Sequence, residues 1–323
     1  TKVISNRAPL SDYAMFQTAV SFGFLGQTSD KISTLKKVFS YKSSSYLDQV
    51  YFELGNTYNN LGNTEKALEA YTTVIEDYSK SILVSKALLR KGLLLYNINK
   101  TSKALAVFKR VAAEYPATPE AFQAISSARS IYVDNADVDN YAKWVGTLSY
   151  ATISDKELDR TAYEAAEKQY LENNADKAIS LFNDYIVKFP NAAQITKAHF
   201  YLAALYFRQN LRENALPHYE FVIEQSTNEF TEQALQKVCA LKLQLKLDAK
   251  QALNRLEMEA KNPQNILFAQ SNLMKIAYEE EDFSMALNYA QIIIENPNTD
   301  QYIKNEAHNI TARYATRLEN DDL

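Results

Sequence analysis

Small residues that return at a fixed interval are the feature that most constrains the fold of this chain. Alanine occupies positions 67 and 104, which are 37 residues apart, and the same step then reaches Tyr141, Ala178, Ala215 and Ala252. A shorter step of 34 residues reaches Ala286. Each position lies in a segment of helical periodicity, so we expect two helices per period. A single pair cannot bury its own apolar face and is stable only when stacked on further copies.

The clearest unit spans residues 47–81 and reads as a helix, a tight turn and a second helix. Its motif consists of Leu54-Gly55, Tyr58, Gly62, Ala67, Tyr71 and Val74-Ile75. This motif resembles that of the tetratricopeptide repeat (TPR) family. In such a unit the small residues let paired helices approach closely, and the rings fill the space between them. Asn63 or Thr64 is expected to cap the second helix by accepting from its free N–H groups.

The register predicts an all-α chain, organised as one repeat array over residues 1–323. Its hairpins are expected near 12–41, 47–78, 83–115, 119–150, 155–189, 193–226, 229–261 and 264–295, with a capping helix at 300–318. The first hairpin is degenerate because Lys31 stands where the motif has alanine. The family resemblance implies that these eight hairpins and the final helix form a right-handed superhelical solenoid.

Composition agrees with a helical repeat protein and excludes several other classes. Only 6 Gly and 7 Pro occur in 323 residues, too few for a turn-rich β-sandwich or α/β enzyme. The net charge of −4 argues against a nucleic-acid partner. One cysteine cannot form an intramolecular disulfide, and no apolar run of about 18 residues predicts a membrane span. The opening residues 1–10 lack Met and an apolar signal core, which favours an excised or processed piece of a longer protein.

The turns between hairpins give a narrower resemblance. Residues 115–119 and 189–192 read aromatic-Pro-x-small, and proline ends a helix because it lacks an N–H. Such turns look like those of bacterial envelope TPR proteins, such as the lipoprotein of the β-barrel assembly machine and the partner protein of the Tol–Pal system. This resemblance implies a location in the bacterial cell envelope or periplasm, with a cytoplasmic location left open.

The sequence contains no recognisable catalytic or metal-binding motif, so we expect no enzyme activity and no cofactor. His199 and His218 lie on opposite helices of one hairpin and can approach each other, but packing is the favoured interpretation. Cys239 lies among apolar residues and is expected to be a small buried side chain. Trp144, the sole tryptophan, is expected to fill the core of the weakest unit. The acidic residues 279–282 are expected to form a solvated turn in which Asp282 caps a helix.

The resemblance also implies a binding site. In TPR proteins the first helices of successive repeats line a concave surface, and members with a carboxylate clamp hold basic residues at the positions of Lys86 and Arg90. Amides and rings fall on the same face in other hairpins, although the clamp is incomplete in the fourth. The predicted peptide-binding residues are Asn56, Asn59, Lys86, Arg90, Tyr96, Tyr163, Tyr170, Phe200, Phe207 and Arg208. For the rings, ordinary packing between helices is a competing interpretation.

These observations predict a non-enzymatic scaffold that binds a protein or peptide partner. Two alternatives stay open: a TPR-based protein that captures a glycan or small ligand, for which Trp144 would be the platform, and the regulatory arm of a larger protein. Neither the identity of the partner nor the oligomeric state follows from the sequence.

Overall fold

A computed structural model describes residues 11–321 of the chain, and the side chains of residues 11–316. The opening segment 1–10, interpreted above as the start of an excised piece, lies outside the described residues. Within the described range there are seventeen α-helices and no strand. They are α1 Ser11–Phe24, α2 Thr28–Val38, α3 Leu47–Asn60, α4 Thr64–Asp77, α5 Val84–Asn97, α6 Thr101–Glu114, α7 Pro119–Asn135, α8 Val138–Val145, α9 Asp155–Leu171, α10 Ala175–Lys188, α11 Ile195–Arg208, α12 Arg212–Glu224, α13 Thr231–Gln244, α14 Lys250–Glu259, α15 Pro263–Glu279, α16 Phe283–Glu295 and α17 Gln301–Asp321. The predicted all-α fold of eight hairpins and a final helix is confirmed for this part of the chain.

The helices divide between two compact units. The first unit ends at Thr161 and the second begins at Ala162, so the division falls inside α9. Within each unit, the helices that pack against each other are consecutive in the chain or next but one. Each unit therefore builds its core from local hairpins, as repeat proteins do.

One backbone conformation recurs at the turn inside every hairpin. The residue with positive φ at these turns is Gly26, Gly62, Asn99, Ala136, Asn173, Asn210, Lys246 or Glu281. Successive members are 35 to 37 residues apart. The left-handed region costs most residues about 1–2 kcal/mol, and Gly and Asn tolerate it best. Five of the eight turns accordingly use Gly or Asn. The left-handed turn residue therefore recurs at nearly the same interval as the small residue of the motif.

The small residues of the motif lie where paired helices touch. Ala67, Ala104 and Ala178 have no exposed surface. A Cβ atom added to Gly55 would meet Tyr71 Cε1 at 2.6 Å, and one added to Gly92 would meet the corresponding carbon of Phe108 at the same distance. The large ring on the second helix thus occupies the space that a side chain on the first helix would need.

The seventh hairpin departs from the predicted register. Ala252 is only half-buried, whereas Ala249, Leu253 and Leu256 are almost completely buried. In every other described hairpin the second helix begins two residues after the left-handed turn residue, but α14 begins at Lys250, four residues after Lys246. Leu253 is therefore the fourth residue of α14, the place that Ala67 holds in α4, and Ala249 is the N-cap. Counting in steps of 37 missed this lengthened turn and placed the motif one residue early.

Several predicted helix ends are confirmed by their caps. The Asn63 side chain accepts from Lys66 N at 3.2 Å at the start of α4. Thr118 Oγ1 accepts from Ala121 N at 3.2 Å, and Pro119 fills the first position of α7. Asp282 Oδ1 accepts from Met285 N at 3.0 Å and begins α16, as expected for the acidic turn.

The final helix covers the last hairpin. Ala307 of α17 is fully buried, and it packs in one apolar cluster with Met274 of α15 and Ile293 of α16. This arrangement agrees with its predicted role as a cap, since an array otherwise leaves its last apolar face open. None of the helices in the described part of the chain combines the length and the apolar character that crossing a membrane requires.

Candidate functional site

The predicted site residues of the first unit lie on α3 and α5. Asn59, Lys86 and Arg90 are exposed, whereas Asn56 and Tyr96 are half-buried. Lys86 and Arg90 are one helical turn apart and therefore project from the same side of α5. Neither cation forms an ion pair among the residues that the structure describes. Two unpaired positive charges on one helical face favour an anionic partner.

Asn56 belongs to a polar network that joins three helices. Its Oδ1 accepts from the Tyr71 hydroxyl at 2.9 Å, and its amide donates to Glu53 Oε1 at 3.4 Å. Glu53 also pairs with Lys31 of α2 at 2.7 Å. Burial raises the pKa of Tyr71 to about 12; Arg90 acts against this shift and Glu53 adds to it. The positive charge of Arg90 thus acts on the Tyr71 hydroxyl of this network.

Tyr96 is held by the next hairpin. Its hydroxyl donates to Asp134 Oδ2 at 2.8 Å. Burial, followed by this hydrogen bond, raises the pKa of Tyr96 to about 12, so the hydroxyl remains a donor at neutral pH. Tyr96 therefore positions α5 against α7, and its ring presents only part of its surface.

Two of the predicted rings of the second unit lie in its interior. Tyr163 is 5% exposed and packs edge-on against Tyr185 at 5.6 Å between ring centroids. Phe200 is 7% exposed and stacks on Phe230 at 4.6 Å. Such burial favours the competing interpretation, packing between helices, for these two rings, because a ligand would find little of their surface.

The remaining residues of the second unit form a row of rings and cations that is only partly buried. Tyr170 stacks on Tyr201 with centroids 4.3 Å apart and planes 12° from parallel. The Arg208 guanidinium lies 5.7 Å from the Tyr170 centroid. Lys237 Nζ lies 4.5 Å from the centroid of Phe207. We call these five residues the aromatic row. A cation that lies over the face of an aromatic ring is attracted to it electrostatically, by about 0.5–1 kcal/mol at exposed sites.

Sequence reasoning missed Tyr201 and Lys237. The 37-residue interval could have predicted a position equivalent to Phe200 at Lys237, because Lys237 follows Phe200 by 37 residues. Tyr201 directly follows the predicted Phe200, and no spacing argument distinguishes the two rings. The structure does so: Phe200 is turned into the core, and Tyr201 lies beside Lys197 Nζ at 5.5 Å from its centroid.

The two histidines of the sixth hairpin do meet. His199 Nδ1 and His218 Nδ1 are 3.0 Å apart, so one ring donates and the other accepts. Phe221 stacks on His199 at 3.8 Å between centroids. Burial, with a smaller contribution from His218, lowers the pKa of His199 to about 4, and burial also lowers the pKa of His218. Both rings are therefore neutral at pH 7 and belong to the packed hairpin.

The cysteine occupies a structural position. Cys239 has no exposed surface, and burial raises the pKa of its thiol to about 12, so it does not form a thiolate at neutral pH. Across the described residues, no cluster of three or more His, Cys, Asp or Glu side chains is arranged to hold a metal ion.

The fold and the recurring motif show that the described part of the chain is a repeat protein built from helical hairpins. The family model described as tetratricopeptide repeat matches residues 49–81 and 86–118, which cover most of the second and third hairpins. These two segments are therefore similar to tetratricopeptide repeats. A search of the curated proteins found no match.

Solved structures of repeat proteins resemble the chain at low sequence identity. A tetratricopeptide repeat protein from Parabacteroides merdae is 18% identical, with 80% of this chain and 97% of that chain covered and a TM-score of 0.41. The C-terminal part of a TPR repeat-containing protein from Cytophaga hutchinsonii is 14% identical, with 90% of this chain and 98% of that chain covered and a TM-score of 0.37. The TPR2AB domain of yeast Sti1, in a complex with pHSP90, is 11% identical, with 86% of this chain and 98% of that chain covered and a TM-score of 0.41.

Proposed function

We propose that this protein is a non-enzymatic scaffold that binds a protein or peptide partner on the faces formed by the first helices of its hairpins. The observation that carries the proposal is the exposed pair Lys86 and Arg90 in a hairpin that matches the tetratricopeptide repeat. Neither of these cations is neutralised within the described part of the chain. A partner that supplies a carboxylate would therefore gain charge-assisted hydrogen bonds without breaking an existing ion pair.

The neighbouring network supports this assignment. Asn56 is fixed by Tyr71, and Glu53 is fixed by Lys31, so the polar groups beside Arg90 are already ordered before a partner arrives. Ordered side chains lose less conformational entropy on binding than free ones. Asn59, exposed one turn further along α3, supplies an additional amide.

The aromatic row supports a partner site on the second unit. Rings and arginine dominate the binding energy of many protein interfaces because they bury a large area at low entropic cost. Tyr170 and Phe207 keep part of their surface free, and Arg208 is exposed. We assign these three residues to partner contact, while Tyr163 and Phe200 support them from within.

The test uses a partner captured from the source organism by affinity pull-down with the intact chain. We expect the variant Lys86→Glu with Arg90→Glu to weaken capture of that partner by at least about tenfold, because it replaces two attractive charges by two repulsive ones. Circular dichroism should show unchanged helix content, since both side chains are exposed.

A matched control changes the charge by the same amount elsewhere on the first unit. Lys80→Glu with Lys103→Glu alters two exposed cations that lie outside the proposed face. This control should bind the partner as the unchanged protein does. Equal binding by both double variants would remove Lys86 and Arg90 from the site.

For the setting of this activity we propose the bacterial cell envelope, on the basis of the aromatic-Pro-x-small turns at 115–119 and 189–192. Reading the parent gene for a signal peptide or a lipidation motif, and fractionating the source cells, tests the proposal. Recovery of the protein in the cytoplasmic fraction alone would contradict it.

A further inference from the structure

We infer that a pocket beside Trp144, on the first unit, is a binding site for a small organic carboxylate that carries a flat apolar face. The pocket is an open depression with a volume of about 490 Å³. It is built by α6, α7 and α8 and does not involve the first-helix faces of α3 and α5. The inference is therefore independent of the proposed scaffold function.

The floor of the pocket is aromatic. Trp144 is half-buried and lies against Tyr132, with ring centroids 6.2 Å apart and planes 28° from parallel. Leu105 of α6 adds an aliphatic side chain to the same lining. Tyr141 packs against Trp144 from within the core, with centroids 6.4 Å apart. The indole is thus held in place by Tyr132 and Tyr141, and the half-buried Trp144 and Leu105 supply the apolar surface that lines the pocket.

Two ammonium groups lie at this aromatic floor. Lys109 Nζ is 5.6 Å from the centroid of Trp144 and 5.5 Å from that of Tyr132. Lys143, one residue before Trp144, is exposed and also lines the pocket. Neither lysine has an ion-pair partner among the residues described by the structure. A ligand carboxylate would therefore meet two positive charges that are not engaged in ion pairs, against the single negative charge of Asp137.

The only carboxylate in the lining is already engaged. Asp137 accepts from the Asn140 amide through both oxygens, at 2.9 and 3.1 Å. These hydrogen bonds orient the Asp137 carboxylate but leave its negative charge in place, so the lining carries two positive charges and one negative charge. This combination of an apolar floor and an excess of positive charge fits an anion with an apolar ring face. A simple cation or an inorganic anion would leave the aromatic floor unused.

Two sources of such a ligand share this chemistry: aromatic carboxylates and the uronic acids of glycans. Pyranose rings and benzene rings both offer a flat C–H or π face to an indole, and both classes carry one carboxylate for the lysines. The experiment uses benzoate for the first class and glucuronate for the second. Glucose is the neutral counterpart of glucuronate.

Trp144 is the only tryptophan in the chain, so intrinsic fluorescence excited at the indole reports on this pocket alone. We expect saturable quenching or a spectral shift when benzoate or glucuronate is added to the intact protein, and none with glucose. Binding of benzoate alone identifies an aromatic carboxylate site, and binding of glucuronate identifies a sugar-acid site. The absence of saturable binding for both carboxylates would overturn the inference, as would equal affinity for glucose and glucuronate.

Variants separate a specific site from a general charge effect. Lys109→Gln with Lys143→Gln should weaken carboxylate binding by at least about tenfold, because it removes both charged donors. Lys80→Gln with Lys103→Gln removes the same charge outside the pocket and should change affinity by less than about twofold. Calorimetry with Trp144→Phe provides a readout that does not depend on fluorescence, and circular dichroism establishes that each variant is folded. Unchanged affinity in the Lys109 and Lys143 variant would also overturn the inference.

Discussion

At the scale of single residues, the close approach of helices depends on positions that carry no Cβ atom or only one methyl group. Gly55 and Gly92 occupy the same place in the second and third hairpins, and each faces a ring from the second helix of its own hairpin. Those rings, Tyr71 and Phe108, are almost completely buried and cannot move outward without opening a cavity. The glycines are thus required by contact between helices and not by an unusual backbone angle.

We predict that Gly92→Ala lowers stability. The new methyl group would lie 2.6 Å from Phe108 Cε1, and the displacement of a packed ring costs about 1–3 kcal/mol, partly offset by the better helix propensity of alanine. Urea denaturation followed by circular dichroism should show a lower midpoint for this variant.

The matched control for this prediction is Gly23→Ala on α1. There the added Cβ meets Lys31 Cδ at 3.0 Å, and the unbranched Lys31 side chain can shift by a few tenths of an ångström while it keeps its ion pair with Glu53. The variant should therefore be neutral or stabilised by up to about 1 kcal/mol. A Gly92→Ala protein as resistant to urea as the Gly23→Ala protein would contradict the explanation based on the Phe108 ring.

At the scale of elements, the sixth hairpin contains a titratable pair inside its packing. His199 and His218 share one hydrogen bond, and protonation of both rings to the imidazolium form would place two donors and two positive charges beside each other, with the Nδ1 atoms 3.0 Å apart. Burial lowers the pKa of His199 from its usual 6.5 to about 4. The unfolded chain therefore binds more protons than the folded chain between these values. The stabilisation is complete above pH 6.5 and is lost as the pH falls toward 4.

We predict that His199→Gln with His218→Gln makes stability less dependent on pH. Between pH 7 and pH 5 the unchanged protein should lose about 1–2 kcal/mol more than this variant, after allowance for solvent screening of half-buried rings. Urea denaturation at the two pH values measures the difference. Replacement of the exposed His308 by Gln is the control and should leave the pH dependence as it is. Equal pH dependence in all three proteins would show that the pair does not control acid stability.

Most of the elements could be predicted from the sequence, because apolar periodicity and caps are local properties. The caps at Asn63 and Asp282 depend on residues within three positions in the chain. The seventh hairpin shows where such reasoning fails: its turn at Lys246 is lengthened, and the burial of Leu253 reveals the register. Residue type likewise could not separate the buried Phe200 from the partly exposed Tyr201, because side-chain direction depends on the neighbouring hairpin.

At the scale of the whole molecule, the described helices contact near neighbours in sequence, so damage should stay local. Ala178 has no exposed surface and packs with Phe182 and Leu202 in the second unit. We predict that Ala178→Arg destabilises this region by about 3 kcal/mol or more, because a long charged side chain cannot be accommodated there. Hydrogen exchange should show lost protection around α10 and α11, while α3–α6 of the first unit keep theirs.

Ser180→Arg is the control for that experiment, since Ser180 is exposed on the same helix. It should leave exchange near the unchanged pattern in both units. Full tolerance of arginine at position 178 would contradict the assigned register. Uniform loss of protection along the chain would contradict the local character of the packing.

The left-handed residue at each turn has a consequence for how such a chain can change in length. Asn99, Ala136, Asn173 and Asn210 follow one another at intervals of 37 residues. Each lies between the first and the second helix of its hairpin. A genetic deletion or duplication that begins at one of these turns and ends at the next joins two identical local backbones. The gain or loss of a whole 37-residue block is then the least disruptive insertion or deletion available to this protein.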